Sequence, residues 1–369
     1  MAKSEGVEEG KDWSELPSEL IHVIAKKLPD IVDFIHFRSV CKAWRSSAPV
    51  SDPPYQLPWF LELFERDYLH TTLRRRQQYY SVCSGEILTI PFTNRKLKLN
   101  NWIQRGVCGH YLAFADQNER TVSFFNPLTA DLFSPPSPQL RWGICNLSTV
   151  WTGMDPIRNR TILVLNHDIL LQIDFGGWAL YNPHNNEWVE QKGFFKSSCY
   201  WQGMFFSTHA HGPTEVFDAS TKQLLHTIPP PEDESLNSPD DSNDLARLLS
   251  ESYLVLSSEM ILRVLWFYDN EILETVEDSL FHIYRLVDYD RACGKPYWVR
   301  ITDIGDQILF LEEMNGFSMT ARPSTGFRQG CIYFIDPFDN TPYVHDLSAG
   351  TVESVPCPFN KCTWFLPGV

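Results

Sequence analysis

Short apolar runs that end in Asn or Asp recur along most of this chain and limit the folds it can adopt. In each case a polar turn and a second short apolar run follow. Runs of this length, bounded by turn residues, are typical of β-strands, so each segment predicts a β-hairpin. The turn residues of the five hairpins are Asn126, Asn182, Asp218, Asp288 and Asp346.

The spacing of these hairpins favours one repeating β architecture. Successive turn residues lie 56, 36, 70 and 58 residues apart, and the longest gap contains an acidic insertion at 229–244. Periods of ~40–50 residues with several strands each are typical of β-propeller blades. The sequence therefore predicts about six blades in one closed domain. Its last residues should pair with a strand from its start, because closure removes exposed edges. An irregular pair of β-sandwiches is the alternative.

The first fifty residues have a different, helical pattern. Four apolar residues spaced four apart predict one face of a first helix; they are Leu16, Leu20, Ile24 and Leu28. Pro17 suits the first turn of that helix, where its missing N–H is no loss, and Pro29 ends it.

Two further helices are predicted before Pro49. Asp30 can cap the second helix, and Asp33 adds negative charge near its N-terminus. The apolar face of this helix comprises Ile31, Phe34 and Phe37. Ser39 is the predicted cap of a third helix, whose candidate packing residues are Val40, Cys41 and Trp44.

Three such short helices form only a small core, which should be stabilised by a partner. They cannot bury all of their apolar side chains, among them Leu16, Ile21, Val40, Cys41 and Trp44. Some should therefore form an exposed patch, which marks a binding surface.

This N-terminal segment resembles the F-box. The resemblance rests on Leu16-Pro17-x-Glu19-Leu20, Ile24, Leu28-Pro29 and the run from Phe37 to Arg45, FRSVCKAWR. In that family the helices bind a Skp-type adaptor, which joins a cullin-based E3 ubiquitin ligase. By position, the resemblance implies that the adaptor-binding residues are Leu16, Pro17, Leu20, Ile24, Val40, Cys41 and Trp44. A plain helical cap on the β domain is the alternative.

The remainder resembles the kelch-related domain of unknown function that follows the F-box in many plant proteins. The resemblance rests on HYLAFAD, FFNPLTADLFSPP, YWQGMFFSTHAHGPTEVFDAST, YLVLSSEMILRVL, WVRITDIGDQILFLEE and GCIYFIDP, in this order. The chain departs from that family's usual pattern at 105–110 and in its acidic insertion. The resemblance implies architecture and supplies neither a target nor catalytic residues.

Together these patterns predict a small α-helical domain followed by an all-β domain. The predicted divisions are a disordered leader over 1–12, an F-box over 13–50, a helical linker over 51–78 and a propeller-like domain over 79–369. The function implied is that of substrate receptor in a Skp–cullin–F-box ligase. This receptor is not an enzyme: the F-box binds the adaptor and, through it, a cullin, while the β domain holds a protein target. Adaptor binding should be separable from the β domain, because the F-box helices lie outside the β repeats.

Two other functions remain open from sequence alone. One is a scaffold whose F-box binds an adaptor without a cullin. The other is a propeller enzyme acting on sugars, which would need a pocket with paired carboxylates. The chain has no GxSxG, HExxH, P-loop or GxGxxG motif.

Composition narrows the expected partners and compartment. The net charge of −15 disfavours binding to nucleic acid, which requires a positive surface. No run approaches the ~18 apolar residues that span a bilayer, so no membrane partner is expected. Nine scattered cysteines without a secretory signal predict reduced thiols in the cytosol or nucleus.

Four short motifs are candidate sites, and no cofactor or metal is predicted from them. His209 and His211 lack nearby ligands, so a turn with exposed histidines is favoured over a metal site. Cys357 and Cys362 lack the second pair that zinc needs. The basic run 74–76 is interpreted as a solvated helix face rather than an import signal. The acidic insertion is interpreted as a disordered loop rather than a dock for a basic target.

Overall fold

Short helices begin the chain and strands make up the rest. The computed structural model describes residues 13–63, 76–91, 102–108, 110–116, 121–136, 147–150, 163–167, 177–182, 187–192, 197–208, 212–218, 221, 223–232, 249–258, 260–268, 280–289, 295–312, 315–323, 325–337 and 339–368. The helical elements in this part are a 3-10 turn (Trp13–Glu15), α1 (Ser18–Lys26), α2 (Ile31–Ser39) and α3 (Lys42–Ser47).

The described strands are mostly four to six residues long, as the apolar runs predicted. They are β1 (Trp59–Glu62), β2 (Arg76–Ser81), β3 (Ile87–Pro91), β4 (Trp102–Cys108), β5 (Tyr111–Asp116), β6 (Thr121–Phe125), β7 (Leu132–Phe133), β8 (Leu147–Val150), β9 (Leu163–His167), β10 (Gly177–Asn182), β11 (Glu187–Lys192), β12 (Ser197–Trp201), β13 (Met204–Thr208), β14 (Thr214–Asp218), β15 (Leu224–Ile228), β16 (Leu249–Ser257), β17 (Met260–Tyr268), β18 (Leu280–Val287), β19 (Tyr297–Ile301), β20 (Gln307–Glu312), β21 (Asn315–Thr320), β22 (Cys331–Ile335), β23 (Pro342–Asp346), β24 (Thr351–Ser354) and β25 (Cys362–Phe365).

These strands form six sheets in the described part of the chain, which are the blades of a β-propeller. Blade 1 has the strand order β25-β1-β2-β3, and blades 2 to 5 are β4-β5-β6-β7, β8 to β11, β12 to β15 and β16 to β19. Blade 6 has five strands in the order β21-β20-β22-β23-β24. The prediction of a β-propeller of about six blades is confirmed.

The ring closes where the last strand meets the first. β25 pairs antiparallel with β1 from Trp59↔Phe365 to Glu62↔Cys362, so one blade combines both ends of the β domain. Glu312 in β20 strengthens this closure by accepting hydrogen bonds from the Thr363 hydroxyl and, at 2.8 Å, from the Trp364 N–H. The predicted pairing of the final residues with the start of the domain is confirmed.

The five predicted turn residues all lie at the end of the penultimate strand of a blade. Asn126 follows β6, Asp288 follows β18, and the other three end β10, β14 and β23. Asn126 and Asp218 form the same turn, because each N–H donates to a carbonyl five residues later, at 2.9 Å in both cases. The side chain of Asp346 accepts hydrogen bonds from the N–H groups of Ser348 and Ala349. The repeat seen in the sequence is therefore the outer hairpin of blades 2 to 6.

The helical linker predicted over 51–78 is wrong where the structure describes it. Trp59, Phe60 and Leu61 are all buried, because β1 lies between β25 and β2 with both faces covered. A short, wholly apolar run fits a buried strand as well as a helix, and periodicity cannot separate the two. The β domain thus begins at β1 rather than at residue 79.

Blade 6 carries an extra inner strand. β21 pairs with β20 and lies against β16, the innermost strand of blade 5. Gly316 permits this approach, because a Cβ at that position would lie 2.6 Å from Cγ2 of Val255. Ser318 donates a hydrogen bond to the Leu256 carbonyl at 2.9 Å, which fixes β21 against its neighbour.

No helix in the described part of the chain is long and apolar enough to cross a membrane.

Closure predicts that a single truncation in β25 destabilises the whole ring. Trp364 is 2% exposed and packs on Phe60 and Phe310, with ring centroids 4.3 and 5.0 Å away. Trp364→Ala should lower the free energy of unfolding by ~3–5 kcal/mol, as expected for a buried Trp. The control, Tyr297→Ala, removes a side chain that is 47% exposed on an edge strand and should cost only about 0.5 kcal/mol. Urea unfolding followed by circular dichroism measures both, and equal costs would contradict the role given to β25.

Candidate functional site

The helical unit (residues 13–49) packs its inner face on blades 1 and 2. Its buried apolar side chains are Ile21, Ala25, Ile31, Phe34, Phe37 and Ala48. They belong to one hydrophobic cluster with Trp59 and Leu61 of β1, Phe365 of β25 and residues of β5 and β6. The partner that stabilises this small unit is therefore the propeller of the same chain. The helices lie outside the β repeats in sequence, but in the structure they share a core with the β domain.

A polar contact at Asp30 joins the helices to blade 1. Its Oδ1 accepts from the Val32 N–H at 2.9 Å and caps α2, as predicted. Its Oδ2 accepts from the buried Ser81 hydroxyl at 3.0 Å. The Ser81 N–H donates to the Glu86 carbonyl, five residues later, so Ser81 holds the turn position that Asn126 and Asp218 hold elsewhere. An aspartate at this position of blade 1 would bring a second carboxylate next to Asp30. The Ser81 hydroxyl instead donates a hydrogen bond to Asp30.

The two helix ends predicted from prolines are only partly right. α1 covers Ser18–Lys26, so Leu16 and Leu28 lie outside it and pack against the shared cluster. Both residues precede a proline, which disfavours helical geometry at the preceding position. The predicted stack of four leucine and isoleucine residues therefore reduces to Leu20 and Ile24.

The third helix begins later than predicted. Ser39 is the last residue of α2, and its hydroxyl donates to the His36 carbonyl at 2.6 Å. Cys41 is the N-cap of α3, since its Sγ accepts from the Trp44 N–H at 3.4 Å. The prediction that Ser39 caps this helix is wrong, because Ser39 and Val40 still have helical backbone geometry.

Two arginines of the FRSVCKAWR run hold α2 and α3 together. Arg45 donates from Nε to the Arg38 carbonyl at 3.2 Å. Arg38 in turn donates to the carbonyls of Arg45 and Ala48, which lie at the end of α3. Burial and the charge of Arg45 lower the pKa of Arg38, in that order. The sequence pattern assigns neither arginine a role, and the structure shows that both satisfy helix-end carbonyls.

Polar contacts also fix α1 at its C-terminal half. Lys26 forms an ion pair with Asp52 and donates to the Pro53 carbonyl at 2.8 Å, while Nε2 of His22 lies 3.4 Å from Oδ2 of Asp52. The hydrogen bond from Lys26 is the main reason that the pKa of Asp52 is lowered. These contacts hold α1 against the segment that follows α3, which leaves its opposite side free.

The outer side of the helical unit carries large exposed apolar residues, which we call the apolar patch. Its members are Trp13 (65% exposed), Leu20 (51%), Val23 (48%), Ile24 (42%) and Val40 (62%). Leu20, Val23 and Ile24 share one face of α1, since residues three and four apart are neighbours on a helix. Exposed apolar groups this dense in a small unit mark a protein-binding surface.

The predicted adaptor-binding residues are thus divided between two environments. Leu20, Ile24, Val40 and Pro17 are exposed, whereas Leu16, Cys41 and Trp44 are half-buried. Trp44 packs on Phe37 with ring centroids 4.3 Å apart, and its Nε1 donates to the Trp13 carbonyl at 3.1 Å. Sequence reasoning missed Trp13 and Val23. The helical spacing of Val23 from Leu20 and Ile24 was a signal that could have identified Val23.

The structure describes only part of the motifs considered as metal or charge sites. Within the described ranges, no three His, Cys, Asp or Glu side chains are placed to hold a metal ion. His209, His211, Arg74, Arg75 and residues 233–244 of the acidic insertion lie outside those ranges, as does the leader over 1–12. Arg76 lies exposed in β2, a strand rather than the helix expected for the basic run.

The geometry defines a class of protein: a small helical docking unit fixed on a closed β-propeller. Comparison with known families agrees, since residues 13–49 match the F-box domain and residues 79–359 match the KIB1-4 beta-propeller. This chain belongs to the KIB1-4 beta-propeller family and is a plant-type F-box protein with a kelch-like propeller. The family match begins after β1 and ends before β25, the two strands that close the ring.

Two similar proteins of Arabidopsis thaliana match this chain along most of their length, and a third matches over a short segment. F-box/kelch-repeat protein At5g24040 is 25% identical over 352 residues, covering 88% of this chain and 87% of the relative. F-box protein At2g17036 is 24% identical over 349 residues, covering 83% and 79%. F-box protein SKIP23 is 50% identical over 42 residues, covering 11% of this chain and 10% of its own.

The Asp30–Ser81 contact predicts that docking of the helices depends on one carboxylate. Asp30→Ala removes the cap of α2 and leaves the buried Ser81 hydroxyl without that acceptor, so it should cost ~1–3 kcal/mol of stability. Asp33→Ala is the matched control, because it removes an exposed acid from the first turn of the same helix and should cost at most about 0.3–1 kcal/mol. Urea unfolding measures both.

A double-mutant cycle with Ser81→Ala separates the cap from the interdomain bond. The summed losses of stability in the two single variants should exceed the loss in the double variant by about 0.5–3 kcal/mol, since the residues are in contact. Strict additivity would show that the bond between Asp30 and Ser81 contributes nothing to docking.

Proposed function

We propose that this protein is the substrate-recognition subunit of a Skp–cullin–F-box E3 ubiquitin ligase. The apolar patch binds a Skp-type adaptor, the adaptor recruits a cullin, and the propeller holds a protein target. The observation that carries the proposal is the division of the F-box into two faces. The inner face is buried on blades 1 and 2, whereas the outer face leaves five large apolar side chains exposed.

The subunit contributes position rather than chemistry. Ubiquitin transfer is faster when the acceptor is held near the charged carrier, because a bimolecular step becomes effectively unimolecular. This requires a fixed distance between the adaptor-binding face and the target. The shared cluster and the Asp30–Ser81 bond supply that rigidity, since the helices pack directly on the closing blade.

The target binds elsewhere on the propeller from the F-box. The F-box packs around β1, the outer hairpin of blade 1 and residues Leu128 to Leu132 of blade 2. Blades 4 to 6 therefore present surface that the F-box does not cover. We place the protein in the cytosol or nucleus, where free thiols are the rule.

The patch residues should dominate adaptor binding. Apolar side chains at the centre of an interface commonly cost ~2–4 kcal/mol when truncated, which is roughly 30- to 1,000-fold in affinity. Leu16 is unsuited to the test, because it packs on the cluster shared with the propeller and its loss would also disturb the fold. Leu20 and Val40 are exposed and avoid this ambiguity.

The double variant Leu20→Ala, Val40→Ala should lose adaptor binding by at least about 100-fold. Its thermal transition should stay within about 2 °C of the wild type, since exposed sites contribute little to stability. The matched control is Leu224→Ala, Leu225→Ala on edge strand β15, where the side chains are 51% and 43% exposed. Calorimetric titration with a purified Skp-type adaptor measures the affinities. Unchanged affinity in the folded F-box variant would contradict the proposed site.

Recruitment of a cullin distinguishes the ligase from the scaffold without a cullin. Purification of the tagged protein from plant cells should recover adaptor and cullin together, and the Leu20, Val40 variant should recover neither. Recovery of adaptor without cullin under the same conditions would favour the scaffold.

A further inference from the structure

A cleft lies where the F-box meets blade 2 of the propeller. Its volume is about 280 Å³, and its walls come from α2, α3, Val50 and the outer turn of blade 2. Two cations, Arg38 of α2 and Arg45 of α3, line it together with the hydroxyl-bearing residues Ser39 and Thr129. Apolar side chains of both domains complete the walls. The cleft therefore combines positive charge, hydroxyl groups and apolar surface at the domain junction.

The two arginines are held in place by bonds within the F-box. Arg38 donates from Nη1 to the carbonyls of Arg45 and Ala48, and Arg45 donates from Nε to the Arg38 carbonyl at 3.2 Å. The guanidinium carbon of Arg38 also lies 5.6 Å from the centre of the buried Phe34 ring. A guanidinium carries five N–H donors, so these bonds use only some of them in each residue. Donors whose positions are already set lose little conformational entropy when a ligand binds.

The positive charges of Arg38 and Arg45 lie beside each other, and no carboxylate among the described residues forms an ion pair with either. Burial and the charge of Arg45 lower the pKa of Arg38, in that order, so the second charge opposes the first. Asp30 and Asp52, which cap and follow the helices, bond to other groups. An anion bound in the cleft would replace this repulsion by attraction to both arginines.

The opposite wall of the cleft belongs to the outer turn of blade 2. Oδ1 of Asn126 accepts hydrogen bonds from the N–H groups of Leu128 at 2.9 Å and Thr129 at 3.3 Å, which fixes this turn. The Thr129 hydroxyl accepts from the Asp131 N–H at 3.3 Å. A hydroxyl that accepts one bond still has a proton to donate, so the propeller contributes a donor to the same cleft.

We propose that this cleft binds a small organic phosphate monoester, which lies between the F-box and blade 2. Two guanidinium groups match the roughly two negative charges of the phosphate and bind its oxygens in the bidentate geometry that arginine favours. A carboxylate or a sulfate ester carries a single charge and would leave one arginine unmatched. Ile35, Val50 and Leu128 line the cleft and provide an apolar surface for the organic portion.

The size of the cleft favours a small molecule over a peptide. Its volume lies below the ~300–1,000 Å³ that is typical of pockets for drug-sized ligands. A ligand that contacts both walls joins the F-box to the propeller and stabilises the docked arrangement, because it binds only the folded chain. The inference does not rest on the proposed ligase role, since the cleft and the apolar patch share no residue.

The test uses the purified full-length protein, with phenyl phosphate as the probe and phenyl sulfate as a control of similar shape and lower charge. In calorimetric titration, phenyl phosphate should bind at a single site, at least about 10-fold more tightly than phenyl sulfate, because charge-assisted hydrogen bonds are the strong ones. It should also bind more tightly than inorganic phosphate, which lacks an apolar portion. Equal binding of phenyl phosphate and inorganic phosphate would mean an adventitious ion only and would overturn the proposal, as would the absence of binding.

Arginine modification by phenylglyoxal locates the site without any substitution. Phenyl phosphate should slow the modification of Arg38 and Arg45, measured by peptide mass spectrometry, and leave the exposed Arg76 of β2 unaffected. Modification of Arg38 and Arg45 at unchanged rates, or equal protection of Arg76, would show that the ligand binds elsewhere. This readout decides the question even where a variant fails to fold.

Variants of α3 then measure the contribution of one cation. Arg45→Ala should weaken phenyl phosphate binding by about 10- to 100-fold, the usual effect of losing hydrogen bonds to a charged group. Arg45→Lys should recover part of this loss, because it restores the charge without the fork. Lys42→Ala is the matched control, since it removes an exposed cation from the same helix outside the cleft and should bind as the wild type. Equal losses in Arg45→Ala and Lys42→Ala would contradict the site.

A phosphopeptide titration distinguishes the free small molecule from a phosphorylated protein segment. A phosphotyrosine peptide should bind no more tightly than free phosphotyrosine, because the cleft is limited to the space between the two walls. Binding of the peptide more than about 10-fold more tightly would identify a macromolecular ligand and overturn the proposal of a small one.

Discussion

Pairing between β25 and β1 is the contact on which the remaining structure depends. It closes the ring, and it also forms the surface on which the F-box packs, because Trp59, Leu61 and Phe365 come from these two strands and contact the helices. An open ring would therefore lose more than one blade. It would also expose Phe34 and its neighbours on α2, which have too few partners within three short helices to form a stable core.

Packing on the propeller explains how the F-box can be stable and still keep one apolar face exposed. The inner face of the F-box supplies stability through burial, whereas the outer face remains apolar and exposed at a cost that only a partner can offset. Asp30 fixes the inner face on the propeller, since one carboxylate oxygen caps α2 and the other accepts a hydrogen bond from Ser81 in blade 1. The F-box is therefore held in a set orientation on the propeller.

Local patterns predicted the features that depend on neighbours in sequence. The turn residues from Asn126 to Asp346, the cap at Asp30 and the apolar face of α2 could all be identified, because each rests on hydrogen bonds or periodicity within a few residues. Contacts between distant segments could not be specified in this way. No local pattern identifies β1 as a strand, because its partner β25 lies at the other end of the chain. Likewise, the inward packing of Leu16 and the role of Ser81 depend on a domain contact that no local pattern encodes.

Amide hydrogen exchange, with and without a purified Skp-type adaptor, tests the central claim most directly. The claim is that the F-box binds its adaptor with one face while the other stays packed on the propeller. In the free protein, α2 and β1 should exchange slowly and at similar rates, because they share one core and open together. Adding the adaptor should slow exchange in α1 and around Val40 and leave β1 unchanged. Fast exchange of α2 in the free protein, or faster exchange of β1 upon adaptor binding, would contradict the account.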